Sequence, residues 1–119
     1  MANKTPSINA QPNFSGVNSW SWTLGNADTG VGIQIPTFAD KTVSITGTFG
    51  GATVAIIGSN DSTTGLDGNW VTLDDPQGNA LSKTAAALKA ILENPLWIAC
   101  TSSGGSGTTI TVTIVARRP

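Results

Sequence analysis

The most constraining feature of the chain is the stretch Thr108–Ala116, where Ile110, Val112 and Ile114 alternate with Thr109, Thr111 and Thr113. Successive strand residues point to opposite faces, so this alternation specifies a strand with one buried and one hydroxylated face. The same rhythm appears near the other end. Trp20, Trp22 and Leu24 alternate with Ser19, Ser21 and Thr23. Val17 is out of phase there and Asn18 is polar, so the strand is predicted to start near Ser19. A third period-2 run, Thr42–Phe49, puts Val43, Ile45, Gly47 and Phe49 on one face. Gly50-Gly51 follows and supplies the two positive φ values of a tight hairpin turn, with Ala52–Gly58 predicted as the returning strand.

Shorter strands are predicted at Val31–Ile35, stopped by Pro36, at Asn69–Leu73 and at Leu96–Thr101. Asp75-Pro76-Gln77-Gly78 has the residues of a type I turn, with Pro second and Gly fourth. One segment breaks the rhythm. Thr84–Leu92 is Ala-rich and sets Ala85, Leu88, Ile91 and Leu92 on one helical face. Ser82 or Thr84 is placed to cap it and Pro95 to end it. The expectation is a short helix covering an open end or face of the sheets, with Leu88 and Leu92 buried beneath it. So short a helix is marginal alone and needs that support. Strands at short intervals with Gly-rich turns give the fold class: mainly β, an antiparallel β-sandwich or jelly-roll-like fold with one short α-helix. Residues 1–16, rich in Asn, Ser and Pro, read as an extended N-terminal arm. Residues 17–119 read as a single β-sandwich domain.

Composition excludes more chemistry than it supports. The 119 residues contain no His and one Cys. That removes His-based triads, imidazole metal ligands, internal disulfides and thiolate zinc clusters. Cys100 shares a strand face with Ile98, as a small buried hydrophobe does. Asp74-Asp75 reads as turn chemistry rather than an acid–base pair. Asn60, Asp61, Asp67 and Asn69 offer oxygens, but in the spacing of ordinary turns rather than of a calcium loop. Gly104-Gly105-Ser106-Gly107 lacks the lysine and the helix of a phosphate loop. No catalytic residue, metal or cofactor is therefore expected, and no enzyme.

Charged residues make up 11% of the chain and its net charge is −1, so no basic footprint for nucleic acid is expected. Arg117–Arg118, the single basic pair, reads as a solvated tail. The uncharged stretches Thr5–Ala27 and Asn94–Ala116 are too rich in Ser, Thr, Asn and Gly to span a membrane. Residues after Met1 form no apolar signal core, so synthesis in a cytoplasm is expected. A surface this poor in charge tends to associate. Ile8 and Phe14 are poor choices for a purely solvated arm and are candidates for contact with a neighbouring subunit. Trp20 and Trp22 suit either a sugar-stacking platform or a core, and the in-phase Leu24 favours the core. Trp70 and Trp97 read as core or interface anchors.

The segments VSITGTFGGATVAIIGSND, GNWVTLDDPQGNALS and ILENPLWIACTSSGGSGTTITVTIVARR, spanning residues 42–118, resemble a family of small proteins encoded in tailed-bacteriophage structural gene clusters. The chain departs from that pattern by inserting Ser62–Asp67 in a turn. The resemblance implies a virion structural protein, a head decoration or cement protein on the capsid surface, made in the host cytoplasm. Its implied partners are the major capsid protein and copies of itself, as dimer or trimer. Ile8, Phe14, Arg117 and Arg118 are then the candidate partner interface. The strand–turn–strand at GSND…NWVTL is also similar to discoidin-like carbohydrate-binding domains. The alternative is accordingly a carbohydrate-binding module or a tail-fibre-associated domain.

Overall fold

The alternating segments form strands that stack as two sheets with their apolar faces inward. The computed structural model describes residues 2–10 and 16–118. Its strands are β1 (Asn3–Lys4), β2 (Ser7–Ala10), β3 (Val17–Leu24), β4 (Thr29–Gly30), β5 (Ile33–Gln34), β6 (Asp40–Thr48), β7 (Thr53–Ser59), β8 (Val71–Thr72), β9 (Ser82–Lys83), β10 (Ala87–Ala90), β11 (Trp97–Ser103) and β12 (Thr109–Arg117). One sheet runs β10-β6-β12-β3-β2. The other runs β1-β4-β11-β7-β8, with β5 also beside β11 and β9 beside β7. Every pairing is antiparallel except β1 with β4. The fold class expected from the pattern is the one observed, a β-sandwich.

β12 lies at the centre because both its edges find alternating partners. Val112 stands between Trp22 and Ile45, and Ile114 between Trp20 and Val43. Val54, Ile56, Ile98 and Cys100 meet these rows from the other sheet, and all are buried. Each such side chain contributes roughly 1.5–3 kcal/mol by leaving water. Gly30 allows the sheets to close at one point. A Cβ there would lie 2.7 Å from the Cys100 carbonyl and 2.9 Å from the Trp22 ring. Trp22 keeps its polar atom satisfied by donating Nε1–H to Val31 O at 2.9 Å.

Three expectations are corrected. The helix predicted over Thr84–Leu92 does not form; Ala87–Ala90 is a strand paired with Thr42–Ile45 of β6. Helix propensity in so short a segment is a weak prior, and the free edge of β6 offers a full set of backbone partners. Leu88 and Leu92 are consequently 72% and 53% exposed, and only Ile91 turns into the core. The second correction concerns the hairpin. Gly50 and Gly51 do take positive φ (57° and 88°), and Ala52 donates to Phe49 O at 2.9 Å. The strands they join nevertheless lie in different sheets, β6 beside β12 and β7 beside β11. Chain 106–108 explains this, since Ser106 N–H and Thr108 Oγ1 bond Gly50 O and Phe49 O and hold the turn at the sandwich end. β3 also starts earlier than predicted, at Val17, because Arg117 is still opposite to pair with it.

Candidate functional site

The four residues expected at a partner interface meet different fates. Ile8 lies on the end strand β2 opposite Trp20 and is 70% exposed. Trp20 packs edge-on against Phe38, with ring centroids 5.6 Å apart, and the Arg118 guanidinium sits 5.6 Å over the Phe38 ring. By register Ile8 is thus the cross-strand neighbour of a Trp20–Phe38–Arg118 group. Arg117 is exposed at the end of β12 with Asp40 and Val17 as its cross-strand neighbours. Phe14 lies outside the described residues. Phe38 was missed by sequence reasoning, because it stands alone between Pro36 and Asp40 with no periodicity to mark it.

The N-terminal segment that leads to Ile8 is held by Asp28. This nearly buried carboxylate accepts the Gly25 amide at 2.6 Å and the Ala2 amide at 3.2 Å, and Lys4 Nζ stands 3.8 Å away. Those amides, Gly25 first, hold its carboxyl below the usual range against the opposing effect of burial. Thr29 and Val31 amides then bond Ala2 O and Lys4 O, each at 2.8 Å, which makes the parallel β1–β4 pair.

The polar loop after β7 closes on itself. Asp67 accepts from Thr63, Thr64 and Ser62, and the Thr63 hydroxyl above all drives its carboxyl far below the usual range. Asp61 likewise accepts the Asn69 amide and side chain at 2.8 Å each. The loop's carboxylates are therefore occupied as turn acceptors, as their spacing suggested. Among the described residues no group of three or more His, Cys, Asp or Glu is placed to hold a metal ion. Beside the loop, Asn60, Asn69, Thr72, Glu93 and Asn94 line an open cleft of about 330 Å³.

Other residues of chemical interest have structural partners. Asp75 is buried and accepts the Gln77 and Asn79 amides at 3.0 and 2.9 Å, a turn role that lowers its pKa. Burial pushes the Cys100 thiol well above its ordinary range, so it is an inert core group. Trp20 and Trp22 are buried and offer no stacking platform; Trp70 and Trp97 are half-buried. Lys41 is buried although charged. It donates to Ala39 O at 3.1 Å and to Asn94 Oδ1, and burial lowers its pKa. A signal for it existed in the sequence, since Lys41 is in phase with Val43 and Ile45.

No protein-family model matches the chain, and no curated protein sequence is significantly similar to it. Solved structures do share its fold. The SPBc2 prophage-derived protein YomS is similar at 13% identity with a TM-score of 0.60, over 87% of this chain and 96% of that one. A cupin domain from Bordetella pertussis Tohama I is similar at 11% identity with a TM-score of 0.50, over 98% of this chain and 95% of that one. At such identities the likeness is one of architecture: this chain has the two-sheet β-sandwich fold that these proteins also adopt.

Proposed function

We propose that the protein is a structural component of a tailed-bacteriophage virion, a decoration or cement protein that attaches to the capsid surface and to copies of itself, without catalytic activity. The observation that supports this best is the likeness in fold to a prophage-derived protein over nearly all of both chains. The exposed residues Ile8, Arg117 and Arg118, with the half-buried Phe38 under Arg118, are a suitable contact for the major capsid protein. They combine an apolar residue with two guanidinium groups. Attachment through many weak contacts is strengthened by the lattice, because each further contact is effectively intramolecular. The test is co-sedimentation of the purified protein with undecorated heads and, separately, with tails. Binding to heads is expected, and Ile8→Asp together with Arg118→Glu should weaken it by roughly tenfold or more, as for loss of interface anchors. Binding to neither particle, or to tails alone, overturns the reading.

The second reading, a carbohydrate-binding or tail-fibre-associated domain, now rests on the Asn-rich cleft rather than on the Trp pair. Amide and hydroxyl groups there suit sugar hydroxyls, and the half-buried Trp70 beside it in sequence is a fluorescent reporter. Quenching by a sugar series, lost in Asn69→Ala, is the result that would favour it.

A further inference from the structure

We propose that β10 is the strand through which two copies of this chain join, edge to edge, into one continuous sheet. The inference deepens the self-association part of the reading above and rests on it. Among the described residues, β10 ends its sheet and has β6 on one side only. Ile91 donates its amide to Lys41 O at 3.0 Å. In an antiparallel pair, bonded and non-bonded positions alternate. From the register Ala90 to Thr42 and Leu88 to Ser44, Lys89 and Ala87 therefore aim their backbone groups at β6. Leu88 and Ala90 aim theirs out of the sheet. Among the described residues no backbone partner meets them there. The edge closes only at Leu92, whose amide donates to Asp74 O at 2.9 Å.

Native sheets blunt such edges with short strands, lysine, proline, bulges, inward charges or a covering segment. Of these, this edge has a short strand and the single charge of Lys89, and no proline; its other residues are Ala87, Leu88 and Ala90. Leu88 is 72% exposed beside it.

The occupant that fits is a second copy, because the edge is complementary to itself. A two-fold axis at Leu88 sets Leu88 against its equivalent and Ala86 against Ala90 of the other copy. Leu88 and Ala90 belong to the outward-bonding series, and the Leu88 pair exchanges about two N–H···O bonds across the axis. Lys89 then faces a small alanine. The neighbouring register, with the axis at Lys89, would oppose two lysines directly, which is unfavourable. Charge thus selects one register. A net charge of −1 leaves little repulsion between copies. Pairing β10 with β2 of another copy would instead be head-to-tail, giving a ring or an open chain of copies rather than a two-fold dimer.

Sedimentation equilibrium of the full chain over a wide concentration range tests this. The wild type is expected to dimerise. Leu88→Pro removes an outward amide while sparing the bonds to β6, a position where proline is tolerated. Leu88→Lys keeps the amide but places two charges across the axis. Each should weaken dimerisation by roughly tenfold or more, at unchanged circular dichroism for the lysine variant. Should the proline variant fail to fold, the lysine variant decides. Ile8→Lys, on the opposite edge, should leave the dimer intact. A wild type that stays monomeric, a dimer indifferent to Leu88→Lys, or one lost in Ile8→Lys overturns the proposal. Particle co-sedimentation separates it from the attachment reading. A dimer that binds no heads defeats attachment alone, and a monomeric Leu88→Lys protein that still binds heads leaves attachment standing.

Discussion

Two branched aliphatic residues show how far a side chain's worth depends on its surroundings. Ile114 is fully buried between Trp20 and Val43, whereas Leu88 stands 72% exposed on β10. Ile114→Ala removes packed methylenes and leaves a cavity, so it should cost about 2–5 kcal/mol. Leu88→Ala should stay within about 0.5 kcal/mol, as surface substitutions do. Urea unfolding of both variants measures the contrast; a large loss at Leu88 would mean that this segment packs inward as a helix after all. The difference was half legible in the sequence. Ile114 sits in an unbroken alternation that only a strand explains. Leu88 sits in an alanine run whose spacing suits a helix, and nothing local records that β6 lacks a neighbour on that side.

Among the elements, β1 depends on ionisation. Asp28 is held below its usual pKa chiefly by the Gly25 amide, with help from Ala2 and Lys4. A carboxylate of this kind adds stability that is present above the unfolded-state pKa of about 3.9 and is lost as pH falls through the lower folded value. The β1–β4 pair should therefore loosen in acid. Protection of the Thr29 and Val31 amides, which bond Ala2 O and Lys4 O, should fall below pH of about 4 relative to the protection of Val112 in β12. In Asp28→Asn that acid step should disappear, with protection lower at neutral pH. Equal protection of Thr29 at both pH values in the wild type would remove Asp28 as the latch.

For the molecule as a whole, stability comes from apolar rows meeting across two sheets. Loop carboxylates Asp61 and Asp67 spend their oxygens on neighbouring amides and hydroxyls. Chelation by EDTA is expected to leave the melting temperature unchanged, and added calcium to leave it unchanged as well. A drop with EDTA that calcium restores would reinstate the Asn60–Asn69 loop as a cation site. Folding should also be slow for a chain this short. β3 must find β12 across most of the sequence, and β7 must find β11 across a long intervening segment. Refolding monitored by Trp fluorescence should take milliseconds to seconds, the range of β-sandwiches, rather than microseconds.

Sequence by itself determined the strands whose alternation is strong, the inward faces of β3, β6 and β12, the burial of Trp22 and Cys100, and the turn chemistry of Asp75 and Gly50-Gly51. These follow from side-chain period and backbone freedom, which are local properties. Tertiary structure decided which strands share a sheet, and it decided against two local readings. Gly50-Gly51 makes the tight turn that its residues require, yet the chain there passes from one sheet to the other because residues 106–108 bond the turn from outside. Thr84–Leu92 has a helical pattern, yet β6 has unpaired amides and carbonyls along its edge, and satisfying them outweighs a weak helix propensity. The exposed edge that results, and with it the candidate contact between copies, exists only once both sheets are assembled.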